Sequence, residues 1–124
     1  MGETILLVED HLSSRANISE FLRRKGYKVA EAPDGLEALN LLSRRMIDLM
    51  VLDVVIPQIH GLNLLKLVRS NTPALPVIVI SAYLSEPVGK VILEGSAEFF
   101  SKPLDLQQLS QIIQTLPSTA PRPH

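Results

Sequence analysis

The sequence predicts an α/β domain built on a parallel sheet, and three observations carry that expectation. Short apolar runs alternate with longer amphipathic stretches along most of the chain. Several runs are aliphatic almost throughout, as strands covered on both faces should be. Residues able to do chemistry stand directly after the runs, where the strands of an open parallel sheet end on one edge.

The runs are Thr4–Val8, Tyr27–Glu31, Leu49–Leu52, Val77–Ile80 and Ala97–Phe100. The first, third and fourth are nearly pure Ile, Leu, Val and Met, which fits central strands. The second and fifth are more polar and read as edge strands.

Five helical stretches lie between and after the strands. Residues 13–25 set Ala16, Ile18, Phe21 and Leu22 on one broad face. Residues 35–44 follow Asp34-Gly35-Leu36-Glu37, an Asp with Glu three positions on, which resembles a capping box. Residues 61–70 carry Leu62, Leu65 and Val68 or Arg69 at helical spacing. Residues 84–94 form the weakest helix, because Pro87 and Gly89 disfavour a helix interior. Residues 105–116 repeat Leu106, Leu109, Ile112, Ile113 and Leu116 at three- and four-residue steps, a clear helical stripe.

At 124 residues, 46% of them hydrophobic, the chain suits one domain with a real core. We assign residues 1–116 to it. Residues 117–124 hold three prolines and no apolar pattern, and read as a disordered tail or a truncated linker. Twelve Lys and Arg against thirteen Asp and Glu give a formal charge of -1, so nucleic acid is not an expected direct partner. Arg23-Arg24-Lys25 and Arg44-Arg45 read as solvated helix ends, where cations oppose the helix dipole. The absence of cysteine excludes disulfides and thiol chemistry. The first apolar run is cut by Glu9-Asp10, too soon for a signal peptide or a membrane span. A cytoplasmic protein without membrane contact is expected.

Glu9 and Asp10 follow the first strand, Asp53 the third, Ser81 the fourth and Lys102 the fifth. Each has an ordinary reading taken singly: a turn or helix cap for the acid pair, a loop acid, a capping hydroxyl, a surface lysine. Those readings do not explain why all of them occupy strand ends. Three clustered carboxylates repel one another and call for a cation. Magnesium, a hard ion that keeps several waters, suits carboxylates together with phosphate oxygens. A Lys ammonium and a Ser hydroxyl can each meet a phosphoryl oxygen, leaving Asp53 as a nucleophile that would form an aspartyl phosphate.

Four segments in order resemble the receiver domains of two-component response regulators: Ile5-Leu6-Leu7-Val8-Glu9-Asp10, Leu52-Asp53-Val54-Val55-Ile56-Pro57 running to Gly61, Val79-Ile80-Ser81-Ala82, and Phe99-Phe100-Ser101-Lys102-Pro103. The resemblance spans about residues 4–116. It implies a doubly wound, flavodoxin-like sheet of five parallel strands, order 2-1-3-4-5, flanked by five helices. It also implies a phosphorelay switch rather than an enzyme, with Asp53 phosphorylated by a histidine kinase or histidine phosphotransfer protein.

By the same resemblance Mg2+, with Mn2+ able to replace it, is held by Asp10 and Asp53, by Glu9 through water, and by the Val55 carbonyl. Ser81 and Lys102 meet the phosphoryl group, and Ser81 and Phe99 form the switch. The fourth helix, fifth strand and fifth helix would then dock a homodimer partner or an output domain. The chain departs from the usual pattern at Phe99, where Tyr is common, and at His60, where an acid is frequent. His11 reads as a loop residue modulating access rather than a ligand.

Two rival readings remain at this point. A flavodoxin-like cofactor enzyme would need a phosphate-cradling loop after the first strand, where Glu9-Asp10-His11 would repel a bare phosphate. A receiver fold could also serve as a phosphorylation-independent interaction or dimerisation module.

Overall fold

The computed structural model describes residues 3–54, 66–68, 70, 74–81, 98–101 and 105–115. Among the described residues five strands, β1 (Thr4–Val8), β2 (Lys28–Ala32), β3 (Leu49–Val54), β4 (Val77–Ser81) and β5 (Glu98–Ser101), form one parallel sheet in the order β2-β1-β3-β4-β5. The polar second and fifth runs are its edges, as expected. Three helices are described in full: α1 (Leu12–Arg24), α2 (Gly35–Arg44) and α3 (Leu106–Thr115). Residues 66–68 and 70 are helical, within the third expected helix. The rest of that helix, the 84–94 stretch and the 117–124 tail lie outside the described residues.

The aliphatic strands bury both faces. Ile5 and Leu7 of β1 pack with Ile18, Leu22, Leu109 and Ile113 of α1 and α3. Leu6 and Val8 turn the other way, into a second core with Ala38 of α2, Val68 and Leu75. Leu6, Leu22, Met50, Val51, Ile78 and Leu109 are almost wholly withdrawn from water. A fully buried Leu or Ile contributes roughly 1.5–3 kcal/mol by transfer alone, so the two cores dominate the stability of the sheet.

Helix ends follow their local chemistry. Asp34 Oδ1 accepts the Glu37 N–H at 2.9 Å, and Asp105 Oδ1 accepts the Gln107 N–H at 2.9 Å, so both acids act as N-caps. The last helix therefore starts at Leu106, one residue later than the expected 105, after its cap. Only half of the expected capping box forms at α2, because the Glu37 carboxylate accepts from Asn40 Nδ2 at 3.1 Å instead. At the end of α1, the Tyr27 N–H reaches Leu22 O at 3.2 Å and the Gly26 N–H reaches Arg23 O at 3.0 Å. Gly26 sits at φ 100°, the left-handed conformation such a helix stop requires.

That stop corrects where the second strand begins. Tyr27 is used by the helix cap, so β2 begins at Lys28, whose N–H joins Glu3 O at 2.9 Å. Ala16 is exposed, and the inner face of α1 is instead Ile18, Ser19 and Leu22, with Phe21 half-buried. Ser19 tolerates burial because its Oγ donates to Glu31 Oε2 of β2 at 3.1 Å. The basic end of α1 is exposed, as expected, and Arg23 Nη2 also reaches Glu31 Oε2 at 3.2 Å and donates to Val29 O at 3.1 Å.

At the opposite end of the sheet from the acids, Asp48 clamps β1 to the chain entering β3. Its Oδ2 accepts the Thr4 N–H at 2.8 Å, and its own N–H returns to Thr4 O at 2.9 Å. Among the described residues no helix is long and apolar enough to cross a membrane.

Candidate functional site

The chain leaves β1 in one direction to reach β2 and later crosses back to β3, so β1 and β3 are neighbours at the point where the strand order reverses. Crevices at such points, outside the strand carboxyl ends, are where open α/β sheets bind ligands. The β1–β3 ladder ends at the pair Val8 and Leu52. One residue further stand Glu9 and Asp53. Strand alternation sends both toward the face that carries Ile5, Leu7, Leu49 and Val51.

Glu9, Asp10 and Asp53 each offer a carboxylate oxygen, and these oxygens lie within 4.8 Å of one another. Glu9 is 3% exposed, Asp53 is half-buried and Asp10 faces solvent, so the cluster runs from the protein interior to an open mouth. Among the described residues it is the single group of three acids or histidines close enough to share an ion.

Glu9 is held from three sides. Its N–H donates to Ala32 O of β2 at 3.0 Å, extending the β1–β2 ladder by one step. Its main-chain carbonyl accepts from Arg15 Nη1 at 2.9 Å. Its Oε2 accepts the His11 N–H at 3.0 Å. His11, read from sequence as a loop residue, caps α1: the ring Nδ1 accepts the Ser14 N–H at 3.5 Å, and the Ser13 hydroxyl lies 3.0 Å from it.

Arg15 escaped the sequence reading. The available signal was a cation in the first turn of α1, five residues past Asp10, with an acid near the end of the neighbouring edge strand. Its partner on the edge strand, Glu31, becomes visible only once β2 is placed beside β1.

The strand ends bring the other expected residues to the same edge as far as the description extends. Ser81 closes β4 opposite Val54, the residue after Asp53, and Ser101 of β5 stands opposite Ser81. Phe99 pairs with Val79 within β5. The side chains of Ser81 and Phe99, and the whole of Val55, Lys102 and His60, lie outside the described residues.

Three carboxylates so close together repel one another, and a divalent cation is the simple counter-charge. An all-oxygen set open to solvent on one side suits an ion that keeps water ligands. The donor set therefore fits magnesium.

The profile of the response regulator receiver domain matches residues 5–114. The chain belongs to that family. It is a phospho-acceptor receiver domain of the two-component response regulators.

It is 30% identical to sporulation initiation phosphotransferase F of Bacillus subtilis, over 92% of this chain and 93% of that one. It is 32% identical to transcriptional regulatory protein ZraR of Klebsiella oxytoca over 85% of this chain, which spans about a quarter (24%) of that longer protein. Among solved structures, chemotaxis protein CheY4 of Vibrio cholerae superposes with a TM-score of 0.83 at 26% identity, covering 92% of this chain and 98% of that one.

Proposed function

We propose that this receiver domain accepts a phosphoryl group on Asp53 from a histidine kinase or histidine phosphotransfer protein. The observation that carries the reading is the meeting of Glu9, Asp10 and Asp53 within 4.8 Å at the point where the strand order reverses. The three side chains, with the Val55 carbonyl, are the groups that hold Mg2+ or Mn2+, and the ion when bound would neutralise charge on the phosphoryl oxygens.

Asp53 is the nucleophile. One of its carboxylate oxygens attacks phosphorus of the donor phosphohistidine, the P–N bond breaks as the P–O bond forms, and the imidazole nitrogen leaves to be protonated by solvent. The product is a mixed anhydride at the end of β3. The Ser81 hydroxyl donates to one phosphoryl oxygen and the Lys102 ammonium pairs with another. The β4–β5 register supports their shared placement, since Ser81 stands opposite Ser101, the residue before Lys102.

The new charge on Asp53 draws Ser81 and Lys102 inward, and Phe99 turns into the space left by Ser81. The face formed by residues 84–94, Phe99 and α3 then docks a second copy or an output domain. The protein acts in the cytoplasm as a switch that assists its own phosphorylation and dephosphorylation rather than as an enzyme on a separate substrate.

The test is incubation with acetyl phosphate, with and without Mg2+, followed by intact mass measurement beside Asp53→Asn. One phosphoryl adduct that needs Mg2+ and vanishes in the variant supports the reading. No adduct on folded protein makes Asp53 a structural acid and favours a phosphorylation-independent interaction module.

A further inference from the structure

We propose that Arg15 is a positioning residue for the acid cluster, tying the β1–α1 turn to the edge strand so that Glu9 and Asp10 are presented in a fixed geometry. The inference rests on the reading of Glu9, Asp10 and Asp53 as a magnesium site.

The guanidinium spans two elements. Nη1 donates to the main-chain carbonyl of Glu9 at 2.9 Å, and Nε meets Glu31 Oε1 of β2 at 3.3 Å. The Arg15 side chain is only 15% exposed, so these bonds are partly shielded from water and from salt. Glu31 is itself held: Ser19 Oγ donates to its Oε2 at 3.1 Å, and Arg23 Nη2 approaches the same oxygen at 3.2 Å. Three donors from successive turns of α1 therefore anchor one carboxylate on β2, and the first of them reaches on to the site.

The bond falls on the Glu9 carbonyl, in the peptide unit that links Glu9 to Asp10. With the Glu9 N–H already tied to Ala32 O, a second tether on the carbonyl fixes the peptide planes on both sides of the Glu9 Cα. Those planes set the direction in which the two carboxylates leave the backbone. Lysine could not substitute fully, because one ammonium lacks the planar fork that serves two acceptors at once.

Charge alone predicts the opposite consequence. A cation beside an acid site opposes a second cation, so deleting Arg15 would tighten metal binding if repulsion were its main effect. Positioning predicts weaker binding, as is typical when the groups that orient metal ligands are removed. The sign of the change separates the two.

The experiment is calorimetric titration of Mg2+ into the wild type, Arg15→Met, Arg15→Lys, Glu31→Gln and the Arg15→Met/Glu31→Gln double variant, with urea unfolding of each. Leu75→Ala, in the core on the other face of the sheet, serves as a control that lowers stability without touching α1 or Glu9. Expected are about tenfold weaker binding in Arg15→Met, a smaller loss in Arg15→Lys and in Glu31→Gln, and a double variant no weaker than Arg15→Met. Leu75→Ala should bind as the wild type does. In metal-free protein, Arg15→Met should also displace the Glu9 and Asp10 amide resonances.

Unchanged or tighter binding in Arg15→Met, with the wild type binding normally, overturns the positioning role and leaves the magnesium site standing. A wild type that binds no Mg2+ overturns both. Should Arg15→Met fail to fold, Arg15→Lys and Glu31→Gln carry the same decision: wild-type affinity in both would sink the proposal.

Discussion

Glu9 and Asp53 stand one residue beyond the Val8–Leu52 pair, so the register of β1 against β3 determines how close the two carboxylates come. Their proximity is a property of the ladder as a whole. The fold thus holds like charges together, and a cation that binds between them stabilises the folded state.

Magnesium at a hundred times its dissociation constant should raise the unfolding free energy by about 2.7 kcal/mol through mass action. Asp53→Asn should lose most of that gain, and without metal it should be more stable than the wild type because one repelling charge is gone. Urea unfolding with and without Mg2+ measures both effects. Equal metal-free stability would mean the three acids do not strain the fold.

Asp34 carries the α2 N-cap without the reciprocal bond from Glu37. Asp34→Ala should therefore cost about 1 kcal/mol, whereas Glu37→Ala should lose only the Asn40 contact and the charge near the helix start. Unfolding midpoints for the two variants would rank them, and the reverse order would show that the Glu37 carboxylate matters more than the cap.

Within α1, Leu22 is fully buried and Ala16 is exposed. Leu22→Ala should destabilise by roughly 2–5 kcal/mol, while Ala16→Lys should stay within about 0.5 kcal/mol of the wild type. Thermal or urea unfolding decides. A large loss at Ala16 would place that position against a neighbour.

Tyr27 titrates above its ordinary value of 10.0, because burial disfavours the phenolate and the Glu3 charge adds to that effect. The folded state therefore keeps its proton where the unfolded chain has lost it. Stability from this group is fully present below pH 10.0 and is lost as pH rises through the higher folded pKa. Tyr27→Phe should flatten the alkaline fall in stability, and ultraviolet titration should show Tyr27 ionising later than free tyrosine. An unchanged alkaline limb in Tyr27→Phe would assign the fall to other groups.

Much of this was legible in the sequence, for a physical reason. Strands buried on both faces must be aliphatic throughout, so β1 appeared with the right ends, while β3 ran on through Asp53 and Val54 and β4 through Ser81. The carboxyl-edge placement of Glu9, Asp10 and Asp53 followed from strand order once a parallel sheet was assumed. What stayed hidden depended on partners far apart in sequence. Ser19 is buried only because Glu31 lies opposite, Tyr27 is withheld from β2 only because Gly26 turns back on α1, and the bond from Arg15 to Glu9 requires the helix to be docked. Each is decided by tertiary contact rather than by local pattern.

The double clamp between Thr4 and Asp48 has a consequence for which mutations the domain can tolerate. β1 offers four successive buried aliphatics, Ile5 to Val8, so sliding it by one residue exchanges one oily side chain for another and meets little hydrophobic resistance. Such a slide would displace Glu9 from Asp53 by about 3.3 Å along the strand and turn it to the opposite face. Conservative replacements among the aliphatics should therefore be accepted readily, whereas a single insertion or deletion between Thr4 and Glu9 should leave a folded protein that has lost its chemistry. Asp48 acts as the zero mark of a ruler read out at the far edge of the sheet.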